Sequence, residues 1–288
     1  MKLSKSNKHV LIISDSYVPQ KISAAGMIYN LSQELIKKNI NTICAFSGKL
    51  EKNIIHDYKL DKTNLIYTNI FQSFRNKSLI SRFIFEISTA IVLAIKCYFY
   101  FKNKKDLDLI IWYGPSVFLW IVVKVVNFSK QAPVYYVLRD IFPDWIIHLK
   151  VVRNFFIIWI LNKLSNPQYT VSNVIGVESK ENINYLQKKI KNKRIEFLPN
   201  WSNIVISIDS KIDKIIQVDF TKSVDLADKN FFFKLVYVGN TSVAHDYESL
   251  INFFNKSFGF KKININIFSK SPKTRQVDNN VIVKNYWG

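Results

Sequence analysis

Near the start of the chain, Val10-Leu11-Ile12-Ile13-Ser14-Asp15 forms a short unbroken apolar run closed by a polar pair. Such a run suits a parallel strand covered on both faces, because neither row of alternating side chains then meets water. The pattern recurs along the chain. Runs at 41–46, 65–69, 107–112, 133–138 and 169–175 read as further strands. Segments with helical spacing separate them, at 24–38 (Ile28, Leu31, Leu35), 79–101, 116–126 and 179–189. Strand and helix in alternation mean βαβ units and a parallel sheet. This first unit is expected to span 1–201. Residues 202–230 are polar and weakly patterned and read as a linker or peripheral segment. The alternation restarts at 231–288, with strands at 231–238, 263–268 and 280–283 and a helix around 247–254. A doubly wound nucleotide-binding domain has about five or six strands. The second unit is therefore expected to be partial: a fragment, a truncation, or a half completed by a separate chain.

Composition narrows the classes. With 48% hydrophobic and 22% charged residues, the 288-residue chain has ample material for a core and is too apolar to be disordered. Its two cysteines, Cys44 and Cys97, cannot build a disulfide framework, which fits a reducing compartment. The apolar run behind the basic start is too short for a secretory signal, so a cytoplasmic location is expected. Lys and Arg number 41 against 21 Asp and Glu, a formal charge of +20. An excess of this size favours a polyanionic neighbour: nucleic acid, an anionic membrane face or a phosphorylated substrate. No nucleic-acid recognition motif is present, so that partner is not expected. The apolar stretch 83–101 is interrupted by Glu86 and Lys96 and reads as a buried or interfacial helix rather than a membrane span. Stretches 117–126 and 155–161 are too short to cross; they either lie on an anionic leaflet or pack in the core.

Four ordered blocks carry a resemblance. Tyr136-Val137-Leu138-Arg139-Asp140-Ile141-Phe142-Pro143-Asp144-Trp145 comes first. Val174-Ile175-Gly176-Val177-Glu178-Ser179 with Asn182, and then Phe197-Leu198-Pro199-Asn200-Trp201, follow in order. The last is Leu235-Val236-Tyr237-Val238-Gly239-Asn240 with Val243-Ala244-His245. Together they resemble the family 4 glycosyltransferases of bacterial surface-polysaccharide assembly, most closely the N-acetyl-L-fucosamine transferases of O-antigen and capsule synthesis. The resemblance implies an α/β protein of GT-B type: a complete N-terminal Rossmann-like domain on the acceptor side and a second, nucleotide-sugar-binding Rossmann-like domain, here partial. It implies a retaining hexosyl-type transfer without metal or other cofactor. By that resemblance the donor would be a UDP-linked nucleotide sugar, and the acceptor a lipid-diphosphate-linked saccharide at the inner face of the plasma membrane.

The residues agree on where ligands should sit. In open α/β sheets they bind beyond the carboxyl ends of the strands, where Ser14, Ala25-Gly26, Asp140 and Gly239-Asn240 fall. Asp140 is the candidate catalytic group: its carboxylate would orient or deprotonate an acceptor hydroxyl, or stabilise positive charge on the sugar ring. A structural Asp paired with Arg139, or capping the next segment, is the competing reading. Ala25 and Gly26 open the first helix, where small residues let backbone N–H groups approach a phosphate; a plain helix start is the alternative. Gly239 and Asn240 match the donor loop, but Ser242 and Asp246 stand where similar family members carry glycines. A Cβ at a crowded backbone position is costly, and a carboxylate repels a diphosphate. The family's acidic E-x7-E region, its diphosphate-gripping cations and its closing helix find no counterpart before Gly288. The chain is therefore expected either to be inactive alone, or to act as a non-catalytic acceptor- and membrane-binding subunit beside a separate donor-domain chain. On the acceptor side, Arg139, Trp145 and His148 are candidates, with buried packing the expected role of the last two. The four histidines show no metal-ligand spacing, and no G-x-G-x-x-G or Walker loop occurs.

Overall fold

The computed structural model describes residues 8–202, apart from 21, 49, 51–54, 57, 59, 70–78, 104–105 and 115, together with 233–238, 249, 252, 263–268 and 281–286. The chain divides into two compact units, Met1–Ile204 and Val205–Gly288.

Unit one is built on β1 (His9–Ser14), β2 (Asn41–Ser47), β3 (Asn64–Thr68), β4 (Leu109–Tyr113), β5 (Val134–Leu138), β6 (Val174–Val177) and β7 (Arg194–Phe197). They form one parallel sheet in the order β3-β2-β1-β4-β5-β6-β7. From β1 the sheet grows outward through β2 and β3, then the chain returns to lay β4 on the other side of β1. That reversal is the switch point at which α/β sheets open a crevice.

Both faces of the sheet are covered, as the unbroken apolar runs require. Leu11 and Ile13 of β1 point into one core with Ile43, Ala45, Ile110 and Trp112. Val10 and Ile12 point into the other with Cys44, Phe46, Ile111 and Tyr113. α1 (Ser23–Lys37) covers the second face through Met27 and Ile28. α2 (Leu79–Phe101) and α3 (Trp120–Lys130) cover the first. In α2, Phe85, Thr89, Leu93, Cys97 and Phe101 are buried at four-residue spacing, one stripe of a helix lying on the sheet. Its opposite face leaves Ile84, Ile91, Ile95, Tyr98 and Phe99 exposed. Among the described residues, 83–101 is the one helical stretch long and apolar enough to cross a membrane, and 33% of its most apolar window is buried. Burial also pushes both thiols, Cys44 and Cys97, up to about 12, leaving them protonated.

One expectation here needs correction and one open alternative is resolved. The 169–175 stretch is not a strand throughout: Pro167–Thr170 forms a helical turn, α6, and β6 begins only at Val174. Pro167 fixes the first helical position, and the buried Gln168 and Tyr169 serve the core from that turn. Of the two alternatives left open for the 117–126 stretch, the structure shows core packing. Val117, Phe118 and Leu119 in a 3₁₀ turn, then Val122, Val123 and Val126 of α3, are all buried.

Further helices among the described residues of unit one are α4 (Asp144–His148), α5 (Phe155–Ser165) and α7 (Lys180–Lys189). Ser179 caps α7, its hydroxyl accepting from the Asn182 N–H at 3.1 Å.

Unit two contains β8 (Phe233–Val238), β9 (Ile263–Phe268) and β10 (Val281–Tyr286). They are parallel, in the order β10-β9-β8. This order matches the first half of a doubly wound sheet. The 202–230 segment lies almost wholly outside the described residues, as do Gly239, Asn240, Ser242, His245 and Asp246.

Candidate functional site

The carboxyl ends of β1, β4, β5 and β6 bring one group of side chains together. Asp15 follows β1, Tyr113 ends β4, Arg139 and Asp140 follow β5, and Glu178 follows β6. The Arg139 guanidinium lies over the Tyr113 ring, 5.8 Å from its centroid, and its Nη2 is 3.4 Å from Glu178 Oε2. Burial holds the Tyr113 phenol above its ordinary range; Arg139 opposes this, and the carboxylates of Asp15, Glu178 and Asp140 add to it. All four charged groups therefore act on this one ring.

Arg139 is the unusual member. Its side chain is only 11% exposed, yet Nη1 is buried without a hydrogen-bond partner. A guanidinium offers five donors in a planar fork, and a buried unpaired one costs more than an exposed one. Asp140, the next residue, is exposed. Arg139 is thus engaged with Glu178 and Tyr113 across the strand ends.

The backbone carrying these two residues is braced from below. The Tyr136 hydroxyl donates to Gln168 Oε1 at 2.8 Å, and Gln168 Nε2 reaches the Phe142 carbonyl at 3.4 Å. Trp112 stacks on Tyr136 with centroids 4.0 Å apart, a contact worth about 1 kcal/mol beyond its buried area. Asp144, the acid of the motif, serves structure. Its carboxylate accepts from Lys189 Nζ at 2.6 and 2.7 Å and from the Tyr185 hydroxyl at 2.7 Å, tying α4 to α7. Sequence reasoning gave that residue no role, because Lys189 lies 45 positions away.

The segment after β7 closes over the opposite face. Trp201 Nε1 donates to the Met27 carbonyl at 3.0 Å, and the indole meets Tyr113 edge-on at 6.2 Å. Leu198 crosses β6 at Gly176, where an added Cβ would lie 2.5 Å from the Tyr135 hydroxyl and 3.0 Å from Leu198 Cβ. This glycine is there for close approach.

The α1 N-terminus follows β1 at the same edge of the sheet. No side chain caps it and its first turn carries no acid. Ala25 is fully buried, and Gly26 faces open space. The Gly26 N–H is already bonded to the Ile22 carbonyl at 3.3 Å, so the structure leaves neither residue a free, exposed donor for a phosphate. Trp145 and His148 are not buried as expected: both are exposed on α4, whose inward anchor is Asp144. Tyr113, Asp15 and Glu178 were missed as site residues. Each stands at or just after the end of a strand, and that position was the available signal. Among the described residues, no group of three or more His, Cys, Asp or Glu side chains is placed to hold a metal ion.

No protein-family model matches the chain, and no curated protein matches it significantly. Solved structures do resemble it. Phytolacca americana UGT2 complexed with UDP-2-fluoro-glucose and pterostilbene aligns at TM-score 0.51 and 9% identity, over 97% of this chain and 72% of that one. S. aureus TarM, in a complex containing UDP, aligns at TM-score 0.52 and 12% identity, over 97% and 77%. OtsA without ligand aligns at TM-score 0.53 and 10% identity, over 94% and 66%. At such identities the likeness speaks for the fold alone. The chain has the GT-B type of α/β architecture, with a full seven-stranded Rossmann-like unit and a second unit whose described part is a three-stranded parallel sheet.

Proposed function

We propose that this chain is a glycosyltransferase of the family 4 type, moving a sugar from a nucleotide diphosphate to a lipid-diphosphate-linked saccharide with retention and without a metal. The observation that carries the proposal is Arg139, a mostly buried guanidinium with an unpaired Nη1, set beside the exposed carboxylate of Asp140 at the strand ends. A guanidinium with an unused edge suits a phosphate oxygen. In this reading Arg139 holds the acceptor's diphosphate. Asp140 orients the acceptor hydroxyl, accepts its proton as the new glycosidic bond forms, or offsets charge on the sugar ring. The UDP moieties named in the complexes of UGT2 and TarM support a UDP-linked donor, and an N-acetylated deoxysugar follows from the motif resemblance. On that resemblance, Gly239 and Asn240 belong to the donor side.

A second reading is favoured by Ser242 and Asp246, which stand at two glycine positions of the family's donor loop. It makes this chain the acceptor-binding partner of a separate donor-domain chain. Incorporation of labelled sugar into the lipid fraction separates the two. Transfer by the purified chain alone supports an autonomous enzyme; transfer only after a partner chain is added supports the subunit. No transfer in either arm overturns the proposal.

A further inference from the structure

α5 (Phe155–Ser165) reads Phe-Phe-Ile-Ile-Trp-Ile-Leu-Asn-Lys-Leu-Ser, and of these residues only Ser165 is buried. Phe155 is 82% exposed, Phe156 65% and Trp159 49%. A helix this apolar normally buries at least one stripe, and contiguous exposed apolar surface marks an interaction site. The preceding segment adds Trp145, Leu149 and Val151, all exposed.

The surrounding charges have one sign. From Trp145 to Val177 the sequence holds no Asp or Glu, whereas Lys150, Arg153 and Lys163 lie within it. Lys163 Nζ sits 5.6 Å from the Trp159 ring centroid, one helical turn away, and Phe156 stacks on Trp159 at 6.1 Å. Between α4 and α5 opens a groove of about 450 Å³ lined by Ile147, Lys150, Val152, Arg153 and Ile158. Its walls are aliphatic and it carries two cations. An aromatic apolar helix, a cationic rim and the lack of any acid between Trp145 and Val177, with Asp144 of α4 turned inward to Lys189, suit a surface that is apolar inside and anionic at its boundary. An acidic protein partner would explain the cations but not the aromatic face. A second copy would set these cations against themselves.

We propose that α4 and α5 seat the protein on an anionic phospholipid bilayer, with Phe155, Phe156 and Trp159 entering the acyl boundary and a headgroup phosphate held in the groove by Lys150 and Arg153. This locates the membrane contact that a lipid-linked acceptor implies. Its test uses no sugar nucleotide, so its failure would leave the transferase reading standing.

The full chain is sedimented with vesicles of phosphatidylcholine alone and of phosphatidylcholine with phosphatidylglycerol. Binding to the anionic vesicles only is expected. Each basic residue near a membrane surface contributes about fivefold in affinity, so the combined Lys150→Gln, Arg153→Gln, Lys163→Gln variant should bind roughly 100-fold more weakly. An equal removal of charge on and just beyond α7 (Lys180→Gln, Lys188→Gln, Lys191→Gln) should have a far smaller effect. Should the first variant not fold, brominated phosphatidylglycerol gives a second measurement: it should quench the wild-type tryptophan emission, and Trp159→Phe should remove most of that quenching. Equal losses in the two charge variants, equal binding to neutral vesicles, or quenching unchanged in Trp159→Phe would overturn the proposal. So would a dimer, formed without vesicles, that is lost in the α5 variant.

Discussion

Arg139 Nη2 lies 3.4 Å from Glu178 Oε2, joining the ends of two neighbouring parallel strands, while Nη1 of the same guanidinium is buried without a partner. The pair fixes the plane of the fork against the Tyr113 ring and leaves one edge unused. On the proposed function, that edge is the seat for an acceptor phosphate oxygen. Asp140, one residue on, is exposed at the same sheet edge.

For Asp140 the expectation is kinetic. Asp140→Asn keeps size and hydrogen-bonding shape but removes the charge and basicity, so in protein competent for transfer it should lower turnover at least about tenfold. Acceptor affinity should change little, because Arg139 remains. Rate and binding measured separately decide the matter, and unchanged turnover removes Asp140 from the mechanism.

Gly176→Ala tests the packing behind the site. The new methyl would lie 2.5 Å from the Tyr135 hydroxyl and 3.0 Å from Leu198, an overpacking that should cost about 1–3 kcal/mol in denaturant unfolding. Removing the hydroxyl by Tyr135→Phe in the same chain should return part of that loss, although it also breaks the 3.0 Å hydrogen bond to Glu196.

The Asp144 clamp has a signature at high pH. The hydrogen bond that Tyr185 donates to Asp144, and then its burial, push the Tyr185 phenol up to about 12 from 10.0. A raised value means that the clamp's contribution is whole below pH 10 and fades as pH rises toward 12. Difference spectra of tyrosinate against Tyr185→Phe should show one late-ionising phenol. In Asp144→Asn it should ionise about one to two pH units earlier.

Lys150 holds φ 54, a left-handed backbone that favours glycine. Lys150→Gly should therefore leave thermal stability unchanged or raise it slightly. Anionic-vesicle affinity should nevertheless fall about fivefold. Stability and lipid binding moving apart would separate a contact residue from a folding residue.

Much of the first unit is readable in the chain. Unbroken apolar runs such as Val10 to Ile13 fix strands covered on both faces, and the four-residue spacing from Phe85 to Phe101 fixes the sheet-packing side of α2. Where apolar residues serve a turn instead, the reading failed. Tyr169 is buried from a single helical turn begun by Pro167, whereas the 169–175 run reads as a strand. Trp145 is exposed where buried packing is the expected role; the side chain that turns inward on that short helix is Asp144, whose partners Tyr185 and Lys189 no local pattern could supply. Arg139 and Asp140 could be picked out by position after a strand. The unpaired Nη1 could not, since it depends on how β4, β5 and β6 come together. The donor loop at Gly239 and Asn240 rests on the motif resemblance.

The most direct test of the account is the affinity of a lipid-diphosphate-linked saccharide for the wild-type chain and for Arg139→Gln, measured by equilibrium titration in detergent. Loss of a charge-assisted contact to phosphate should weaken binding by roughly tenfold to a hundredfold, while the phosphate-free saccharide binds both proteins alike. Equal affinity of the diphosphate ligand for the two proteins would contradict the assignment of Arg139 and, with it, the acceptor site.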